Sequence, residues 1–339
     1  MPDAPGGRTV DTARRRPPFD PDVAHALQTR DDIVTTLTTA GIQPLRATAV
    51  RPDEDAITLG GAFDLSRHFI QGPDGDPLTI VLLRPTSPTA DVPVIYHVHG
   101  GGLVVGTAYD VLPSMAALAH RVGAAVASVD YRLAPEHRYP AAVEDVYTGL
   151  RWLADHAGEL GLDPERIVIE GVSAGGGLAA AAALLARDRG APALLGQMLI
   201  CPMLDHRNDS DSGWQMQGAG AWDRTANETG WAAYLGDLPR ETVPAYASPA
   251  VAPDLSGLPP TFVEVGSAET FRDEDIAYAS RIWAAGGDAE LHVWPGGAHG
   301  FEALVPEASL TRDARESRVD WLSRLLSRAV DGQAAPAER

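Results

Sequence analysis

Short apolar runs rich in β-branched residues recur along this 339-residue chain, and segments of helical period separate them. Residues 78–83, 93–98, 124–130, 166–171, 196–201, 260–265 and 290–294 read as buried strands. Residues 111–122, 141–160, 174–188, 273–285 and 311–330 read as helices. A helical pattern also covers residues 21–39, with Val23, Leu27, Ile33, Val34 and Leu37 as its apolar positions. Strands alternating with helices predict an α/β fold, a largely parallel sheet with helices on both faces. Sheets of this kind place their chemistry at the carboxyl ends of the strands. No internal repeat interrupts the series.

Two regions break the alternation. One is the N-terminal helical segment. The other is residues 205–246, polar, Gly-rich and carrying Trp214, Trp222 and Trp231. Both are expected to cap the strand ends, without a second independently folding domain. The chain then divides into a lead and N-terminal cap segment (1–50), a first core part (51–204), a cap insert (205–246), a second core part (247–330) and a flexible tail (331–339). Residues 1–20, rich in Pro, Gly and Arg and without an apolar stretch, are expected to be a disordered lead rather than a signal peptide.

Three motifs fall where the pattern predicts chemistry. Gly171-Val172-Ser173-Ala174-Gly175 joins the strand at 166–171 to an Ala-rich helix. This is the G-x-S-x-G elbow, a turn so sharp that only glycines leave room around the serine. The following helix points its N-terminus at Ser173 and favours developing negative charge there. His99-Gly100-Gly101-Gly102 follows the strand at 93–98 and presents unhindered N–H groups. With the Ala174 N–H, this loop is a candidate oxyanion hole. His299, in Gly297-Ala298-His299-Gly300-Phe301, follows the last strand and comes last in the order Ser, acid, His. An imidazole there takes the serine proton and returns it to the leaving group.

The acid must lie between Ser173 and His299, just after a strand. Glu269 in Gly266-Ser267-Ala268-Glu269 meets that condition after residues 260–265. Asp273, Glu274 and Asp275 compete for the role, but they also read as the acidic first turn of a helix. Glu269 is favoured for its place at the strand end. Trp214, Met216, Trp222 and Trp231 either line an apolar acyl or alcohol pocket or pack the cap onto the core. Apolar character alone does not separate the two.

Composition narrows the chemistry further. All 27 basic residues are arginine, which excludes a lysine Schiff base and a Walker A lysine. A formal net charge of −19 makes nucleic acid and anionic membrane surfaces poor partners. The uncharged stretch over residues 171–186 is too short to span a bilayer. Cys201 is the sole cysteine, which excludes an internal disulfide and a cysteine-based metal site. A soluble, cytoplasmic protein without metal or cofactor is expected.

With these motifs in place, the chain resembles the hormone-sensitive-lipase-like esterases (bacterial family IV) of the α/β-hydrolase fold. The resemblance rests on His99-Gly100-Gly101-Gly102, Asp130-Tyr131-Arg132-Leu133-Ala134-Pro135-Glu136, Ser173-Ala174-Gly175-Gly176 and His299-Gly300-Phe301, and covers residues 78–326. It implies a Ser173–His299–Glu269 triad, with Gly101, Gly102 and Ala174 as oxyanion donors and the Asp130–Glu136 segment as a brace behind the site. Two positions depart from the family pattern: Val172 stands where Asp or Thr is usual, and Glu269 where Asp is common. The implied activity is hydrolysis of short- to medium-chain carboxylic esters. A tailoring hydrolase or acyltransferase for one natural product is the alternative, and a non-catalytic ligand-binding member is a more distant one. Relatives often pair through the last strand and final helix, and the strand at 290–294 and the helix at 311–330 leave a homodimer open here.

Overall fold

The apolar runs pair into one eight-stranded sheet in a computed structural model that describes residues 15–87 and 91–330. The expected disordered lead lies mostly, and the expected flexible tail wholly, outside the described residues. In chain order the elements begin with α1 (Pro21–Thr29), α2 (Ile42–Ala47), α3 (Glu54–Ile57), β1 (Phe63–Gln71), β2 (Pro77–Pro85) and β3 (Val92–Val98). Then come α4 (Leu112–Val122), β4 (Ala125–Asp130), α5 (Ala141–His156), β5 (Leu162–Val172), α6 (Ala174–Arg189) and β6 (Gly196–Ile200). The rest are α7 (Asp211–Gln215), α8 (Arg224–Leu235), β7 (Thr261–Gly266), α9 (Arg272–Ala284), β8 (Ala289–Trp294), α10 (Phe301–Leu304) and α11 (Ser309–Val330).

The sheet runs in the order β1-β2-β4-β3-β5-β6-β7-β8. β2 is antiparallel to both β1 and β4, and the other pairs are parallel. β3, β6 and β7 are buried along their whole length, as expected for strands covered on both faces. On one face lie α5, α6 and α9; on the other, α4 and α11 supply Leu112, Met115, Trp321, Leu322 and Leu325. α6 is buried on all sides from Ala174 to Ala186. Its run of alanines lets a helix surrounded by protein lie close to its neighbours.

Two expectations change. β1 was not expected as a strand: it sits at the sheet edge, and its polar Asp64, Ser66 and Arg67 dilute the alternation. The helix expected over 21–39 stops at Thr29. Beyond it, Thr35 and Thr36 donate their hydroxyls to the Gly220 carbonyl and the Asp223 carboxylate. The Thr35 carbonyl accepts from Asp223 N–H, and the Leu37 carbonyl accepts from the Thr229 hydroxyl. Tertiary partners thus take the groups that a helix would have used internally. These bonds join the two off-pattern regions to each other. At the other side, α8 presses on the glycine loop: a Cβ at Gly230 would lie 2.6 Å from the Gly102 carbonyl oxygen.

Candidate active site

The strand-to-helix turn after β5 holds Ser173 at φ 58°, ψ −121°, a conformation that side-chain-bearing residues rarely adopt. The surroundings enforce it. A Cβ at Gly171 would come within 2.2 Å of the Gly175 carbonyl oxygen, and one at Gly175 within 2.0 Å of the Val98 carbonyl oxygen. The backbone is also tied down: Ser173 N–H donates to the Ile200 carbonyl, and the Ser173 carbonyl accepts from Met203 N–H.

Three side chains converge here from the ends of three strands. His299 Nε2 lies 3.0 Å from Ser173 Oγ, and its Nδ1 lies 2.9 Å from Glu269 Oε1. Glu269 is buried, and Oε1 also accepts from Phe271 N–H. Since the carboxylate only accepts, Nδ1 carries the proton and Nε2 is left to receive the serine's. Burial works to lower the pKa of His299, but the adjacent Glu269 carboxylate outweighs it and holds it well above the usual histidine range.

The rival acids have other work. Asp273 accepts from Ser212 N–H and pairs with Arg272. Glu274 accepts from the N–H groups of Leu204 and Asp205, holding the segment after β6. Asp275 is fully buried, and burial and the nearby Glu274 push its pKa up, favouring the neutral acid.

Gly101 and Gly102 take φ 114° and 59°, in the region that favours glycine. Ala174 opens α6, so its N–H has no acceptor within the helix. The loop is braced from behind. Tyr131 donates its hydroxyl to the His99 carbonyl at 2.9 Å and stacks on the imidazole at 4.1 Å. His99 is buried and its pKa falls to about 4, burial being the main cause, so it is neutral. Its Nδ1–H donates to the Gly100 carbonyl. Arg132 pairs with Asp145, Ala134 N–H donates to the Leu103 carbonyl, and Arg46 bonds the Ala134 and Val104 carbonyls and Glu136. The Asp130–Glu136 segment therefore braces rather than reacts.

The four cap residues separate. Trp222 reaches the centre: its ring lies 6.3 Å from that of His299, and a Cβ at Gly102 would stand 2.4 Å from its indole. Trp231 is buried against Tyr234 and His206 as cap core. Met216 is buried beside Gly220. Trp214 is 44% exposed, with the Arg224 guanidinium 3.7 Å above its ring. Sequence reasoning gave Cys201 no place here, yet it directly follows β6 and lies against Glu269 and His299. Its position at a strand end was the only signal.

A family described as alpha/beta hydrolase fold matches residues 95–303. The chain is 37% identical over 246 residues to the esterase LipI of Mycobacterium tuberculosis, covering 71% of this chain and 76% of that protein. It is 39% identical over 245 residues to the carboxylesterase NlhH of the same species, covering 69% and 76%. Among solved structures, a bacterial heroin esterase superposes with a TM-score of 0.82 at 36% identity, covering 91% of this chain and 98% of that one.

Proposed function

This chain belongs to the α/β-hydrolase family, among its hormone-sensitive-lipase-like esterases, and is a serine carboxylic ester hydrolase; we propose that its substrates are esters of short to medium acyl chains. The observation that carries the reading is the unbroken Ser173–His299–Glu269 hydrogen-bond chain on a strained elbow. Ser173 Oγ attacks the ester carbonyl as His299 Nε2 accepts its proton. The tetrahedral oxyanion is stabilised by the N–H groups of Gly101, Gly102 and Ala174. The imidazolium then gives the proton to the departing alcohol, and water cleaves the acyl-enzyme by the same route. Trp222, against Gly102 of the oxyanion loop and with its ring 6.3 Å from that of His299, is the side chain placed to limit chain length.

The test is hydrolysis of p-nitrophenyl acetate, butyrate, octanoate and palmitate by the wild type and Ser173→Ala. Short esters are expected to turn over, with a loss of up to about 10⁶-fold in the mutant. Palmitate cleaved faster than acetate would overturn the substrate range, and an active Ser173→Ala would overturn the mechanism.

A cytoplasmic setting is supported by the sole cysteine, since secreted proteins more often carry disulfides. No described helix is long and apolar enough to cross a membrane. Pairing of two copies through β8 is supported by its place at the sheet edge and by exposed Val293 and Trp283. Light scattering that gives a monomer mass at working concentration would remove that proposal.

A further inference from the structure

A second set of donors sits behind the catalytic pair. Cys201 directly follows β6 at φ 38°, held there by its N–H bond to the Glu264 carbonyl. Its side chain is buried, and one ligand atom each from Cys201, Glu269 and His299 lie within 4.8 Å of one another. Glu269 uses Oε1 for His299 and Phe271, while its buried Oε2 has no hydrogen-bond partner. A carboxylate oxygen in that condition is costly unless something cationic or hydrogen-bonding meets it. Both Cys201 and Glu269 line a cavity of about 160 Å³ on the α4–α11 face of the sheet, opposite the alanine-rich α6. Of its lining carboxylates, Glu264 and Glu302 are paired with Arg318 and Glu170 with His97, so among the described residues Glu269 Oε2 is the buried carboxylate oxygen there that lacks a partner. Arg315, 41% exposed, marks its opening to solvent.

We propose that Cys201, Glu269 and His299 form an inhibitory site for a thiophilic divalent cation such as Zn²⁺, reached through the cavity behind the triad. The donors are one thiolate, one carboxylate and one imidazole, the set that zinc accepts with a water in the fourth position. Composition excluded a cysteine-based metal site because a single cysteine cannot form one alone; here the fold supplies the other two donors from distant parts of the chain. Binding releases the Cys201 thiol proton to solvent. The metal takes the Nδ1 lone pair of His299, and the ring proton moves to Nε2. Nε2–H cannot accept the serine proton, and Glu269 is drawn off the imidazole, so hydrolysis stops without harm to the fold.

The direct test uses Cd²⁺ on the full-length protein. Because the chain has one cysteine, a thiolate-to-cadmium charge-transfer band in the wild type can come only from Cys201. The band is expected in the wild type and in Ser173→Ala, which keeps this test separate from esterase activity. It should weaken in Glu269→Gln and vanish in Cys201→Ala. In parallel, Zn²⁺ should inhibit p-nitrophenyl acetate hydrolysis reversibly, with EDTA restoring the rate. For Cys201→Ala and Cys201→Ser, each measured against its own metal-free rate, half-inhibition should need at least about tenfold more zinc, the cost of losing even an outer partner of a metal ligand. Absence of the cadmium band in folded wild type overturns the proposal, and so does equal zinc sensitivity in a folded Cys201 variant.

Discussion

The elbow with its glycine loop and the cap above it are built on different terms. In the elbow, backbone meets backbone: glycines at 171 and 175 stand where any Cβ would fall within 2.2 Å of a carbonyl oxygen. In the cap, side chains carry most of the contact: the segment at 35–37 is held to residues 220–229 by three hydroxyl bonds and a single backbone bond, from Asp223 N–H to the Thr35 carbonyl. The first region leaves the reacting atoms no alternative position. The second leaves room for substrate range to change without disturbing the chemistry. Active sites tolerate variation where positioning rests on side chains that can be exchanged singly.

The sharpest way to test this contrast is Glu269→Gln. It keeps the shape of the site but removes the charge that stabilises the imidazolium, and kcat should fall by about 10⁴-fold. The pH dependence should move as well. Catalysis needs neutral His299, and Glu269 holds its pKa above the ordinary range. Wild-type kcat/KM should therefore rise with pH through a value above that of free histidine, and the rise should shift to lower pH in the mutant. An unchanged profile would mean that Glu269 is not the partner.

Next in size is Gly175→Ala, with a Cβ placed 2.0 Å from the Val98 carbonyl oxygen. It should cost about 4 kcal/mol or more of stability, seen as a large drop in melting temperature or as insoluble protein. A stable, active variant would show that the elbow has more freedom than its geometry allows.

The cap should respond differently. Trp222→Ala should leave the protein folded and move preference toward longer acyl chains, by about tenfold in the octanoate-to-acetate ratio of kcat/KM. No change in that ratio would remove Trp222 from the pocket. The smallest effect is expected for Trp214→Ala, whose ring lies half-exposed under Arg224. Stability should shift by no more than about 0.5 kcal/mol, with chain-length preference untouched, in denaturation and ester-series measurements.

Most of the sheet was legible because its strands are buried on both faces and read as continuous apolar runs. β1 was not, because an edge strand needs no such run. The carboxylate that meets His299 was legible to within one turn of chain. Strand-end position favoured Glu269, and the structure gives Asp273 and Glu274 separate backbone partners. The cap aromatics were not separable at all. Three tryptophans of like character ended at the catalytic centre, in the cap core and on the surface.

By itself the sequence determined the order of elements, the elbow and the succession Ser173, Glu269, His299. These depend on local demands: which residues tolerate a sharp turn, and which runs can be buried as strands. Only the tertiary structure decided where residues 30–41 run, which tryptophan meets His299 and that the lone thiol lies beside Glu269. Those outcomes join positions far apart in the chain. They follow from the packing of whole elements against one another, which no local pattern encodes.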